Sequence, residues 1–368
     1  MAKKVQIKRI GVLTSGGDCA GLNTAIRAVC MAAFQQGWEV YGIHNATDGL
    51  IARPMMYQKM SVLDFATPYA RLGGTMLGSN NTGVFSRQKK ADGSYETLTE
   101  KEFFRRFKEG IAQLKLDALV VIGGDGSTAI MSKLCKAANV KMIGIPKTID
   151  NDVPATDEAI GFSTACNVVM DALDKLDTTA DSHERIMILE VMGRTAGHLA
   201  LRGAIAGLAD ICLIPELSYS YEEVVNKLRE IRASGRTHGL MVVAEGLKTP
   251  EGKNVYASNG HTFSGIGQYF VNRLSQEPDK FNVRLTVLGH LQRGGSPVAM
   301  DRLLAVGFGT YAIRLLAAGG KNRLVVLKNG KLTDVPLRHA LKISISPVKP
   351  NDPMVKMARS LGMYIGHK

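Results

Sequence analysis

The chain has 368 residues, with 46 Lys plus Arg against 33 Asp plus Glu, a formal net charge of +13, and 45% hydrophobic residues. That length allows one large domain or two. The apolar fraction excludes a disordered or fibrous protein, and no apolar run reaches the roughly 18 residues of a membrane-spanning helix.

The start is basic but has no long apolar stretch and no small-residue cleavage site, so no signal peptide is expected. A first strand is expected at 10–13 (Ile-Gly-Val-Leu). It is followed by Thr-Ser-Gly-Gly-Asp-Cys-Ala-Gly at 14–21 and a helical pattern over 22–36. Gly37 ends that helix, and 38–43 reads as the next strand. The polar stretch 86–99 reads as a loop. Residues 118–122 form a buried strand, 123–127 (Gly-Gly-Asp-Gly-Ser) a turn, 128–139 a helix and 140–145 a strand. Further strands fall at 186–191, 211–214, 239–244 and 285–288, with a helix at 220–233 and a polar loop at 248–258. A Pro-rich segment, 347–353, precedes a last helix. Continuous apolar strands alternating with helices imply parallel sheets covered on both faces. There is no tandem repeat or low-complexity tract.

Cys19, Cys30, Cys135, Cys166 and Cys212 are scattered, odd in number and form no CxxC pair. That argues against a zinc site and a disulfide framework, and fits a reducing cytoplasm. The positive charge suits nucleic acid, an anionic membrane surface, phosphorylated small molecules or a merely solvated basic surface. Nucleic acid is disfavoured: aromatics are 6% and the Lys runs are only pairs (Lys3-Lys4, Lys89-Lys90).

Glycine clusters at strand ends, where open α/β sheets bind ligands. There it lets a backbone approach a phosphate, with the next helix N-terminus pointing N–H groups at the anion. Ser15-Gly16-Gly17-Asp18 and Gly123 to Ser127 both have this placement, and neither is a Walker A loop. Each alone is equally consistent with a tight turn. Asp125 among phosphate-facing N–H groups suits a bridging Mg²⁺ or, equally, a helix N-terminal acid stabilised by the dipole. Lys147, Thr148, Asp150 and Asp152 follow a strand. Paired carboxylates beside a cation suit one general base and one orienting group, or an Asx turn. His183, Arg185, Arg194, Arg284, His290 and Arg293 put basic groups at strand ends, which together favour binding of a sugar phosphate.

In this order the motifs resemble the phosphofructokinase family. The matching segments are Ser-Gly-Gly-Asp at 15–18, Gly-Gly-Asp-Gly-Ser at 123–127, Pro-Lys-Thr-Ile-Asp-Asn-Asp at 146–152, Ser-His-Glu-Arg-Ile at 182–186, Glu-Val-Met-Gly-Arg at 190–194 and Leu-Gly-His-Leu-Gln-Arg-Gly-Gly-Ser-Pro at 288–297. The likeness runs from about residue 8 to the last helix. It implies an α/β fold of two Rossmann-like three-layer domains with mainly parallel sheets and the active site in the cleft between them. A donor domain would comprise 1–160 plus about 292–342, and a fructose 6-phosphate domain about 161–291 plus 343–368.

The implied reaction is the glycolytic one: phosphoryl transfer from ATP, with Mg²⁺, to the 1-hydroxyl of D-fructose 6-phosphate, in the cytoplasm, with no nucleic acid and no membrane as partner. Gly16, Gly17, Gly124, Asp125, Gly126 and Ser127 look like the donor loops, with Asp125 on the metal and Asn81 at the position where the family usually carries an Arg. Asp150 resembles the base, with Lys147, Thr148 and Asp152 beside it. Thr148, Ile149, Met192, Gly193, Arg194, Glu245, His290 and Arg293 resemble the acceptor site. Arg185 and Arg284 resemble two arginines that reach a neighbouring subunit's site, which implies a homo-oligomer. Pyrophosphate users in the family carry an acidic side chain where this chain has Gly126, so ATP is the expected donor. Lys147 occurs in pyrophosphate users and in the mixed-substrate branch that this chain resembles. A pyrophosphate-dependent enzyme, or a slow or differently specific sugar-phosphate kinase, is therefore the alternative. Diacylglycerol- or NAD-kinase-like enzymes share the Gly-Gly-Asp-Gly turn but not the segments 146–152 and 288–297.

Overall fold

The structure, a computed structural model, describes residues 7–66, 68–80, 87–89, 93–255, 265–342 and 345–367. In chain order the strands are β1 (Arg9–Ser15), β2 (Glu39–Ile43), β3 (Tyr57–Lys59), β4 (Arg87–Lys89), β5 (Tyr95–Thr97), β6 (Ala118–Gly123), β7 (Lys141–Pro146), β8 (Ile186–Val191), β9 (Ile211–Leu213), β10 (Gly239–Ala244), β11 (Val283–Val287), β12 (Arg323–Lys328) and β13 (Lys331–Pro336). The helices are α1 (Leu22–Gln35), α2 (Asp48–Ile51), α3 (Glu100–Leu114), α4 (Asp125–Ala137), α5 (Phe162–Ser182), α6 (His198–Ala206), α7 (Tyr221–Ala233), α8 (Ile266–Leu274), α9 (Ala299–Ala317), α10 (Leu337–Ala340) and α11 (Pro353–Ser360).

Two compact units emerge. The first comprises Met1–Thr148, Val153–Gly161 and Arg293–Ile345, and the second Ile149–Asp152, Phe162–Gln292 and Ser346–Lys368. Residues 149–152, assigned from the sequence to the first domain, group with the second unit.

The first unit is built on a seven-stranded sheet, ordered β13-β12-β7-β6-β1-β2-β3. Its centre is parallel because the strands at 9–15, 118–123 and 141–146 have continuous apolar middles, are buried along almost their whole length and need cover on both faces. The two edge strands, β3 and β13, pair antiparallel with β2 and β12. They are mostly polar (Tyr-Gln-Lys and Lys-Leu-Thr-Asp-Val-Pro), so they carried no apolar signal in the sequence. Helix α1 packs on α9, and Gly309 permits the approach: a Cβ there would meet Ala28 Cβ at 2.7 Å and the Val29 nitrogen at 3.0 Å. A buried cluster including Leu13, Leu50, Phe103, Phe107, Leu119 and Met142 fills the sheet face.

The second unit has a four-stranded parallel sheet, β11-β8-β10-β9. Its core gathers Ile188, Leu213, Leu228, Val243 and Phe270. Three sequence boundaries shift. The Gly-Gly-Asp-Gly-Ser turn contracts to Gly124, because β6 runs through Gly123 and α4 already starts at Asp125. β11 starts at Val283, so Arg284 lies inside it. The polar stretch 86–99 holds the antiparallel pair β4–β5.

All five cysteines are buried, and none forms a disulfide. Burial pushes the thiols of Cys19 and Cys135 up to about 12, and those of Cys30 and Cys212 upward too. At pH 8 these four therefore stay protonated, inert thiols. A thiol reagent at that pH should label none of the five in the native protein and all five after denaturation, as counted by intact mass. Rapid native labelling would contradict the packing.

Candidate functional site

In the first unit, register brings three motifs abreast. Ser15 pairs with Gly123 across β1 and β6, and Gly123 with Pro146 across β6 and β7. The loops that follow therefore leave the carboxyl edge of one sheet side by side. Gly16 turns with φ 86°, a conformation only glycine takes without strain. Its N–H donates to the Asn80 carbonyl (3.1 Å), and its own carbonyl accepts from Ser79 Oγ (2.5 Å). Asn80 is held in turn by Asp48, to which its side-chain amide donates at 2.8 Å. The stretch 75–80 thus braces the turn, a role that no local motif announced. Asn81 lies outside the described residues.

Ser15 Oγ donates to Ser127 Oγ at 3.1 Å, linking the two glycine loops. Two cations lie on the turn. Lys147 is 3% exposed, and its ammonium donates to the Gly17 carbonyl. Arg293, grouped by sequence with the acceptor residues, belongs to this unit. Its Nη1 donates to the Asp18 carbonyl at 3.1 Å and stands 2.8 Å from where a Cβ on Gly17 would be. Gly126 is exposed in the first turn of α4, and a Cβ there would meet nothing within 4 Å. Asp125 is half-buried one residue earlier, and Gly124 precedes it as N-cap. Among the described residues no three His, Cys, Asp or Glu side chains cluster as metal ligands. A cation at Asp125 would therefore take most of its oxygens from phosphate and water, a donor set that fits Mg²⁺.

The segment after β7 divides. Lys147 and Thr148 stay with the first unit, where the Thr148 N–H donates to the Ile160 carbonyl at 3.1 Å. Ile149, Asp150 and Asp152 belong to the second. Asp150 is half-buried and Asp152 8% exposed. Asn151 between them has φ 50°, and the Asp152 carbonyl accepts from the Ser346 N–H.

In the second unit the carboxyl ends of β8, β10 and β11 carry Met192 to Arg194, Glu245 and His290. Gly193 (φ 138°) and Arg194 (φ 55°) make a turn closed by the Ala196 N–H on the Gly193 carbonyl. The Arg194 N–H donates to Glu245 Oε1 at 2.9 Å. Position 246 must be glycine, since a Cβ would collide with the Arg194 carbonyl. The Arg194 and His290 side chains are exposed. Arg185 precedes β8 and Arg284 is the second residue of β11, so both sit at the amino ends of these strands. Six residues of strand, about 20 Å at roughly 3.3 Å each, separate Arg185 from the carboxyl-end loop of β8, and three, about 10 Å, separate Arg284 from that of β11. Arg284 donates to its neighbour's carbonyl at Val283, and Arg185 Nε is buried without a hydrogen-bond partner.

The family model described as "Phosphofructokinase" matches residues 9–316. The ATP-dependent 6-phosphofructokinase 1 of Nostoc sp. is 45% identical over 362 residues, covering 98% of this chain and 99% of that one. The chain belongs to the phosphofructokinase family. The ATP-dependent 6-phosphofructokinase of Thermosynechococcus vestitus is likewise 45% identical, over 98% of this chain and 94% of its own. Among solved structures, phosphofructokinase from Saccharomyces cerevisiae superposes with a TM-score of 0.76 at 28% identity over 96% of this chain. This chain spans about half (47%) of that longer one. The pyrophosphate-dependent phosphofructokinase of Nitrosospira multiformis has a TM-score of 0.77 at 19% identity, covering 98% of this chain and 93% of its own, and shares the fold. No helix among the described residues is long and apolar enough to cross a membrane.

Proposed function

We propose that this phosphofructokinase transfers the terminal phosphoryl group of ATP to the 1-hydroxyl of D-fructose 6-phosphate. The observation that carries the reading is the alignment of the three donor-side loops at one sheet edge, with the Lys147 ammonium and the Arg293 guanidinium on the Gly16-Gly17 turn. Relatives named ATP-dependent 6-phosphofructokinase, matched over the whole chain, support the donor.

Phosphoryl transfer requires positioning and charge neutralisation more than covalent chemistry. The glycine turns at Gly16-Gly17 and Gly124 let the backbone approach the phosphates, with Ser127 linking the loops. Lys147 and Arg293 supply fixed positive charge, which matters more because Asn81 stands where the family usually has an Arg. Asp125 would hold Mg²⁺, whose charge neutralises phosphate oxygens. Asp150 takes the proton from the sugar hydroxyl, flanked by Thr148, Ile149 and Asp152. Met192, Gly193, Arg194, Glu245 and His290 hold the sugar phosphate. Arg185 and Arg284, at the far ends of their strands, serve the acceptor site of a second copy of the chain. This makes the enzyme a homo-oligomer. Buried reduced cysteines support a cytoplasmic location.

A buried Lys147 on the donor turn favours pyrophosphate as the second reading of the donor. A coupled assay of fructose 6-phosphate with ATP or pyrophosphate, each with Mg²⁺, separates the two. Turnover with ATP at least about tenfold above that with pyrophosphate is expected. The reverse ratio would overturn the donor assignment, and no turnover with either would overturn the function.

A further inference from the structure

We propose that Gln292 is a positioning residue that holds the two acceptor loops of the second unit in one arrangement. This rests on the acceptor-side reading above.

Gln292 is 1% exposed, whereas His290 and Leu291 beside it are exposed. It closes the 3₁₀ turn Gly289–Arg293 that follows β11. Its carboxamide spans two loops. The oxygen accepts from the Met192 N–H at 3.2 Å, a residue 100 positions away at the end of β8, while the nitrogen donates to the Gly289 carbonyl at 3.0 Å. The amide orientation follows from chemistry, because exchanging oxygen and nitrogen would set NH₂ against N–H and carbonyl against carbonyl. Both loops need bracing. The first turns through Gly193 and Arg194 at positive φ, and the second through Gly289 at φ 49°. Strands β8 and β11 are paired and parallel, and the ladder continues from the Leu288 N–H to the Glu190 carbonyl at 3.1 Å. Gln292 extends that link past the last ladder bond to the residues that would touch the sugar phosphate. On the far side of the same turn, Glu245 fixes the Arg194 N–H. The Met192–Arg194 turn is thus pinned at both ends by buried or half-buried side chains, leaving Arg194 and His290 free to face a ligand. A misplacement of about 1 Å in such a turn can cost on the order of 100-fold.

The test is Gln292→Met, close in size but unable to make either bond. KM for fructose 6-phosphate should rise about tenfold or more, with kcat and KM for ATP within about twofold of the unmodified enzyme. A merely structural role would lower kcat through loss of folded enzyme and leave the KM values alone; that pattern, or unchanged kinetics, overturns the proposal. Hydrogen exchange on the unmodified chain decides the matter even if the variant does not fold. The Met192 amide should exchange as slowly as the β8 amides, and exchange at the rate of an unstructured peptide overturns the brace. If the unmodified enzyme fails to turn over fructose 6-phosphate, the functional reading fails, while the exchange result still judges the brace.

Discussion

Asp150→Asn should lower kcat by about 10²–10⁴-fold, the usual contribution of a positioned general base, with the thermal midpoint unchanged. The amide keeps the size of the carboxylate and one acceptor oxygen but cannot accept the hydroxyl proton. The segment is built to hold this side chain. Asn151 adopts φ 50°, which turns the chain sharply between the two acids. The buried Asp152 anchors the segment through its carbonyl to Ser346, and the Thr148 N–H on Ile160 fixes the approach from β7. A role in substrate binding alone would raise KM for fructose 6-phosphate and spare kcat. Retention of more than a third of the turnover would remove Asp150 as the base. Asp152→Asn is the control: its environment is buried and structural, so a loss of stability is expected to accompany any loss of rate.

Gly126→Asp should cut kcat/KM for ATP by about 10²–10³-fold. A negative charge within about 4 Å of a phosphate repels it by about 4 kcal/mol at the effective dielectric near a protein surface. Part of that is relieved by solvent at this exposed position. The variant should fold normally, because a Cβ at 126 meets nothing within 4 Å and an acid in the first turn of α4 interacts favourably with the helix dipole. Gly126→Asn separates charge from bulk: it fills the same space without the charge and should cost markedly less. Steady-state kinetics with ATP and with pyrophosphate read the outcome. ATP kinetics within twofold of the unmodified enzyme would refute the idea that the open space at Gly126 admits the nucleotide.

Both predictions concern residues that the sequence already marked, and the reason is physical. A strand end followed by glycines and an acid is a local pattern. Its backbone needs, positive φ at Gly16 and a helix start at Asp125 and Gly126, are met by residues within a few positions. Apolar strand cores at 9–15, 118–123, 141–146, 186–191 and 239–244 likewise announce parallel sheets, since no solvent-facing strand tolerates that many buried side chains. The polar edge strands β3 and β13 were illegible for the converse reason. Exposed pairs need no periodic apolar face, and only the neighbouring strand makes them strands at all.

What the sequence by itself determined was the alternation of strands and helices, the identity of the strand-end loops and, through their ordered motifs, the family. The tertiary structure decided which distant groups meet. It set Arg293 on the Asp18 carbonyl across 275 residues of chain, Lys147 on Gly17, and Gln292 between Met192 and Gly289. It also put Arg185 and Arg284 at the opposite end of their strands from the acceptor loops. Backbone preferences and periodicity act over a few residues, so they mark where a loop begins. Which side chain fills the space beside it depends on strand order and register, and these are settled only when the apolar faces of the whole chain are buried together.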